Sequence, residues 1–432
     1  MREALRSFFN PLDPSVRVTR RIFWAGFLVR VFYMTLAHTF RIRPAEDHFQ
    51  FGWEAGRIAR ALVTGYGYAD PFSNVFFAHT GPTAWLPPLY PLLLAGIFRV
   101  FGVFTLTSAW VLFAIQSAFS AATALAVWES ALRCFSRRVA LWSAWIWALY
   151  PAAMQYAVRW PWEMTITTAL FTFALALAIR MRGIGEPEEH KRPLTRSWLL
   201  FGLLWGLIAL SNATLLSFLP VCGLWILAGT YRRRFAVRDC ILAAVVFVVC
   251  IAPWTARNYS VFHRFIPLRS NFGAELYMGN GPGSNGLLME YLHPFQDPVQ
   301  LRRYAQLGEL DYVAERGAAA RAFILAYPAH FAANVARRVY FFWAGNPQSA
   351  DWPWYNEAGR TLNFAFSSIA GLLGLALALR NRVPASGLFA AAFLLLPIPY
   401  YLVTVHARFR HPLEPLLAIL GVYLFQSAQR RS

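Results

Sequence analysis

Asp47 and Glu54 stand seven residues apart, ahead of a stretch with four prolines in ten residues: Pro82, Pro87, Pro88 and Pro91. A carboxylate held in fixed geometry takes a proton from a hydroxyl and so activates it as a nucleophile. Asp47 also fits a local role, capping a helix with Gln50 three residues on. The two roles are compatible if one carboxylate oxygen caps and the other faces a substrate. Glu54 has a structural alternative too, an i,i+3 pair with Arg57. Phe51, Ala55, Ile58 and Leu62 repeat as one face of an amphipathic helix, with Glu54, Arg57 and Arg60 off that face. Such a helix lies along a membrane surface and stops at Gly65-Tyr66-Gly67. The prolines after it exclude a regular helix and make a rigid loop. Further along, Gly279 to Gly286 is rich in glycine but follows no strand and opens no helix, so it is not a nucleotide phosphate loop. It is expected to be a flexible loop that acts as a lid.

The elements that position these residues are membrane helices. Of 432 residues, 57% are hydrophobic and 14% charged, against about 25% charged in soluble domains. The net charge of +19 suits nucleic acid in principle, but the basic residues fall between apolar runs and not on a soluble patch. No nucleic acid partner is expected. A span needs about 20 apolar residues. Candidate spans are 21–40, 104–132, 138–157, 163–181, 197–211, 213–230, 239–256, 362–380, 385–404 and 412–428. The first run shows no cleavage site and reads as a true span. The short run 87–102 is placed as a re-entrant or interfacial helix. The expected fold is therefore an all-α polytopic membrane protein of about ten transmembrane helices, with interfacial helices in the first outer loop and a mostly helical outer-face domain. Residues 1–256 form an N-terminal membrane module, 257–361 the outer-face domain and 362–432 the last spans. Cys134, Cys222, Cys240 and Cys250 lack metal-ligand spacing and read as packing residues.

Arginine placement sets the orientation. With the N-terminus inside, arginines such as Arg20, Arg137, Arg182, Arg233 and Arg380 collect on the inner side, while the short outer loops hold only Arg159, Arg408 and Arg410. Both termini are then cytoplasmic. Two long segments, 41–86 (41–103 with the short helix) and 257–361, fall on the outer side, where function is expected. Arg30 lies inside the first span, where a charge needs a partner, and a structural ion pair is the favoured reading.

In order along the chain, these residues resemble the GT-C class of membrane glycosyltransferases, nearest to the protein O-mannosyltransferase and lipid A aminoarabinose transferase group. The likeness rests on Asp47 with Glu46 beside it, on Pro87-Pro88-Leu89-Tyr90-Pro91 followed by Phe101-Gly102, on Arg133 to Pro151, and on Ala407 to Pro415. It implies a polyprenyl-phosphate sugar as donor and Asp47 as general base. Glu163, in Trp160-Pro161-Trp162-Glu163, takes the family's second acidic position. About one extra helical turn after Asp47 leaves Glu54 as a rival base. Arg408 and Arg410, flanked by His406 and His411, are the candidates for phosphate, since a planar guanidinium matches its oxygens. Arg257 and Asn258 are placed with phosphate or sugar hydroxyls, and Trp85 and Tyr90 join the donor-binding candidates.

The implied reaction is transfer of a hexose or pentose to an acceptor hydroxyl on a glycan, lipid or protein, by inversion, with no required metal or cofactor. Membrane lipid is a partner in its own right. The expected location is a bacterial inner membrane with the site on the periplasmic side. A transporter or flippase for a lipid-linked sugar is the alternative, but repeated halves with broken helices at the midplane are not evident. Cysteines introduced as Asn285→Cys and Leu310→Cys are expected to react with an impermeant thiol reagent from outside. Reaction only from the cytoplasm overturns this topology.

Overall fold

The computed structural model describes residues 14–42, 51–74, 77–185, 195–230, 235–347 and 354–429. Asp47, Glu46 and Gln50 lie outside them. The described chain is helical, with one isolated bridge between Ala69 and Pro82. Among the described residues, four helices are long and apolar enough to cross a membrane: Leu106–Cys134, Met164–Met181, Ala236–Phe262 and Glu357–Arg380. Leu89–Phe101, Thr195–Ala209, Leu219–Thr230 and Ser386–Leu402 are shorter apolar helices. Among the described residues, four of the expected spans thus coincide with helices of full spanning length, and others fall on shorter or interrupted helices.

The N-terminal module begins with α1 (Pro14–Leu36), α2 (Trp53–Val63), α3 (Leu89–Phe101) and α4 (Leu106–Cys134). The long α4 packs on α1, on α5 (Arg137–Leu149) and on α7 (Met164–Met181). The expected span 138–157 is broken. Tyr150 adopts an extended conformation and Pro151 opens α6 (Pro151–Val158), because proline has no N–H to continue the ladder and disfavours helix in the residue before it. That break leaves the last carbonyls of α5 without partners. Arg30 supplies them: its guanidinium donates to the carbonyls of Trp147 and Ala148, and to Gly26 on its own helix. The mid-span charge is therefore a cap on a helix C-terminus, where a cation is favoured, and the ion pair expected from sequence is replaced by carbonyls.

The next helices, α8 (Thr195–Ala209), α9 (Leu219–Thr230) and α10 (Ala236–Phe262), form an up-down-up arrangement. Leu210, at the end of α8, accepts from the Leu89 N–H. Trp225, toward the end of α9, accepts from Arg182 at the far end of α7. The pair α8–α10 is tight because Gly202 and Gly206 lie one turn apart. A Cβ at Gly202 would enter the Ala243 carbonyl, and one at Gly206 the Cys250 side chain. Small residues at this spacing let apolar helices approach closely. The C-terminal helices α15 (Trp354–Arg380), α16 (Ser386–Leu395), α17 (Ile398–Leu402) and α18 (Glu414–Gln429) complete the bundle, with α15 against α18 and α18 against α5. The expected span 385–404 is interrupted between α16 and α17, where Pro397 opens the second piece. A core of Trp147, Phe171, Trp205, Phe389 and Leu420 joins both halves.

The two long loops lie on one face. The second holds α11 (Phe272–Asn280), α12 (Pro298–Leu307), α13 (Glu309–Ala326) and α14 (Pro328–Ala344). α11 and α13 pack closely, since Gly273 and Gly317 meet without side chains. The glycine-rich segment is not a loose lid. Arg338 on α14 donates to the carbonyls of Gly279, Gly286 and Leu402 and to the Asn280 amide oxygen. Buried Ser284 is held by Asn334 and His330.

Gly202→Val is expected to cost on the order of 1–3 kcal/mol, the usual penalty for overpacking. Gly223→Ala, where a Cβ meets nothing within 4 Å, is expected to stay within about 0.5 kcal/mol. Equal thermal midpoints for the two variants contradict the α8–α10 packing.

Candidate active site

The first loop presents Glu54 in the opening turn of α2. The helix starts at Trp53 with Gly52 as its N-cap at φ 87° and no side-chain cap, so the cap position is five residues beyond Asp47, where the expected capping box begins. Gly52 takes this left-handed conformation at no steric cost. Trp53 also has positive φ, at 47°, which is strained for a bulky residue. The strain persists because its indole is packed against Trp162 at 5.1 Å and Trp160 at 6.2 Å, and those two rings stack at 4.7 Å. The expected apolar face is present, with Phe51, Ala55 and Ile58 buried. Arg57, expected off that face, is also buried. It donates to the Ser73 carbonyl and lies over the Phe295 ring.

Glu54 pairs with His293 across the two loops, its Oε1 lying 3.0 Å from His293 Nε2. The expected partner Arg57 is committed elsewhere. Burial pushes the Glu54 carboxyl up, but its pairing with His293, its own backbone N–H and the Arg408 charge outweigh it and hold the group below the usual range. Glu54 is therefore an anion at neutral pH.

Arg408 and His406 close the site from the third stretch. His406 caps the 3-10 turn Ala407–Leu413 by accepting the Arg408 N–H. Burial, then the charges of Arg408 and Arg360, push the imidazole down to about 3, so it is neutral. Arg408 lies 4.4 Å over the Trp162 ring, and its buried Nε has no hydrogen-bond partner among the described residues. Glu163 follows Trp162 directly and starts α7. Its half-buried carboxylate makes no side-chain hydrogen bond or ion pair among the described residues. Its charge acts on Tyr90 and Tyr400. Glu54, Arg408 and His406 thus gather around the indoles of Trp53 and Trp162, with Glu163 next to Trp162 in the chain.

Several expected ligand-binding residues have structural work instead. Arg410 is buried, donating to the carbonyls of Trp343 and Phe364, to Ser367 and Ser368, and to Glu414, which also binds His411 at 2.7 Å. It holds α15 to α18 and does not face a ligand. Arg257 donates to the carbonyls of Thr83 and Tyr68 at 2.6 and 2.7 Å. Asn258 is buried and donates to the Ile266 carbonyl. Tyr90 donates to Gln116, whose amide braces the carbonyls of Tyr156, Ala157 and Trp160. This holds the Trp160–Glu163 turn from behind. Trp85 is 1% exposed and stands edge-on to His293, Phe72 and Tyr304. It is a wall, not a stacking surface.

Two functional residues escaped the sequence reading. His293 sits in no motif, 239 positions from its partner. Glu309, at the start of α13, is buried and binds the hydroxyls of Thr83, Ser270 and Tyr304 and the Ala84 N–H. Burial raises its carboxyl above the usual range, against the pull of those donors. Among the described residues no three His, Cys, Asp or Glu side chains gather as a metal site. The arrangement suits an anionic group at Arg408, a sugar ring against the indoles and a hydroxyl at a carboxylate.

Residues 86–256 match the family model described as dolichyl-phosphate-mannose-protein mannosyltransferase, less than half of the chain. The apo oligosaccharyltransferase of Archaeoglobus fulgidus has a similar structure, with a TM-score of 0.55 and 13% identity over 98% of this chain and 51% of its own. The archaeal oligosaccharyltransferase AglB from Archaeoglobus fulgidus, in complex with an inhibitory peptide and a dolichol-phosphate, gives 0.49 at 14% identity over 88% and 47%. ArnT from Cupriavidus metallidurans bound to undecaprenyl phosphate gives 0.40 at 14% identity over 96% and 78%. The chain spans about half the length of the oligosaccharyltransferase it matches. At these identities the likeness is one of fold. No curated protein matches. The resemblance to GT-C glycosyltransferases read from the sequence therefore stands on a partial family match and a shared fold.

Glu309→Ala strands buried donors, each costing roughly 1–3 kcal/mol. Amide exchange across residues 81–88 is expected to speed up by roughly tenfold or more, read by mass spectrometry. Unchanged exchange there contradicts the clamp.

Proposed function

From a chain that shares the GT-C glycosyltransferase fold, we infer an enzyme that moves a sugar from a polyprenyl-phosphate donor to an acceptor hydroxyl. The observation that carries this reading is the convergence of Glu54 and Arg408 on the Trp53–Trp162 platform, next to Glu163 in the chain and at the face holding both long loops. The partial match to a dolichyl-phosphate-mannose-dependent family supports a phosphate-linked lipid as donor.

In the proposed reaction the acceptor oxygen bonds to the anomeric carbon as the bond from that carbon to the phosphate oxygen breaks. The electron pair leaves with the polyprenyl phosphate, and Arg408 steadies the charge that develops there. The acceptor proton passes to a carboxylate of the first loop, Asp47 or Glu54. Because Glu54 is held low, it is a weak but fully ionised base, and the proton moves late, once the oxygen has begun to bond. One carboxylate suffices for a single displacement with inversion. A double displacement needs a second carboxylate as nucleophile. Glu163 is assigned to a sugar or acceptor hydroxyl. The loop face is taken as the periplasmic side of a bacterial inner membrane, on the strength of the arginine-rich opposite loops. Polar groups gathered at one face, and not at the midplane, favour transfer over transport.

The test uses membranes containing the full chain and an undecaprenyl-phosphate-linked hexose as donor. Loss of a general base lowers turnover roughly 10²–10⁴-fold, and that loss is expected in Asp47→Asn or Glu54→Gln, whichever residue is the base. Full turnover in both variants sinks the reading.

A further inference from the structure

Resting on that transferase reading, we propose that His293 is a positioning residue for Glu54, held as the neutral tautomer that carries its proton on Nε2. The second long loop thereby supplies part of the site built on the first.

The hydrogen bonds around the ring fix its state. His293 Nδ1 accepts the Phe295 N–H at 3.2 Å. A proton on Nδ1 would set two donors against each other, so Nδ1 is an acceptor and the proton lies on Nε2. Nε2 then donates to Glu54 Oε1 at 3.0 Å. The ring cannot turn to another arrangement at low cost. Phe72 and Trp85 stand edge-on to it, at 5.3 and 6.0 Å. The backbone is equally fixed: the His293 N–H donates to the Glu290 carbonyl, and its own carbonyl accepts from Gln296 and Asp297. The imidazole is 16% exposed, so few waters compete for Nε2.

The consequence for Glu54 is orientation. Oε1 is occupied by His293, and Oε2 is left outside any side-chain hydrogen bond among the described residues. A carboxylate on the first turn of a helix has free rotamers, and one donor on Oε1 selects a single orientation and directs Oε2 to the site. The Arg408 charge also acts on Glu54. His293 touches no reacting atom in this scheme. It acts through Glu54.

The test compares His293→Gln, which keeps an N–H donor, with His293→Phe, which keeps the ring and loses the donor. The assay is hexose transfer from an undecaprenyl-phosphate hexose by the full chain in membranes. A hydrogen bond to a charged group corresponds to roughly 10- to 100-fold in rate. That loss of kcat is expected in His293→Phe, with the donor KM within about threefold and most of kcat restored in His293→Gln. Equal impairment of both variants at unchanged thermal midpoints overturns the proposal. So does full kcat in His293→Phe while Glu54→Gln is inactive, an outcome that leaves the transferase reading standing. Full turnover in both Glu54→Gln and Asp47→Asn removes the transferase reading itself. If His293→Phe fails to fold, solid-state NMR of the unaltered, histidine-labelled chain in lipid decides. The resonances assigned through His293→Gln are expected to report an Nε2–H tautomer that changes in Glu54→Ala. An Nδ1–H tautomer overturns the proposal.

Discussion

The loop face depends on a buried carboxylate that binds two distant segments at once. Glu309 opens α13 in the second loop, yet its oxygens are taken by Thr83 and Ala84 of the first. Ser270 and Tyr304 fill the remaining positions. Burying a carboxylate is costly unless its lone pairs are satisfied, so this contact forms only when the segments meet in one register. Arg257 adds to the junction by holding the carbonyls of Tyr68 and Thr83. That register places the Trp85 wall behind His293 and brings His293 to Glu54. Geometry at the site is therefore set by a contact that takes no part in the chemistry.

Charge at the site is arranged in the same economical way. Glu54 is partly desolvated, yet kept ionised by its pairing with His293, its own backbone N–H and the Arg408 charge. His406 stands within the same group of rings, but burial and two arginine charges keep it neutral. The result is the Glu54 anion and the Arg408 cation beside a floor of indoles, with the Glu163 carboxylate following Trp162 in the chain. An anionic phosphate with a sugar attached complements such a floor. The cation meets the phosphate, and the rings meet the apolar face of the sugar.

Much of the architecture was legible in the sequence. Apolar runs gave the long helices, and Phe51, Ala55 and Ile58 marked the buried side of the surface helix. The breaks at Pro151 and between α16 and α17 were present as prolines but were read through. Roles of individual polar residues were less legible, for a physical reason. Arg408 and Arg410 are two positions apart in a 3-10 turn and point to opposite fates, one over Trp162 and the other into the α15–α18 seam. Nothing in the local sequence separates them. Arg30 looked like half of an ion pair because its partners, three carbonyls, carry no sequence signature. His293 and Glu309 were invisible for a related reason. Their first-loop partners lie more than two hundred residues away, so only the closed fold gives those side chains meaning.

The central claim is that a phosphate binds at Arg408, within reach of a first-loop carboxylate. An experimental structure of the full chain with undecaprenyl phosphate bound tests it most directly. The account predicts the phosphate oxygens at hydrogen-bond distance from the Arg408 guanidinium and on the Trp53–Trp162 side of Glu54. A phosphate seated elsewhere in the bundle, with Arg408 untouched, contradicts it.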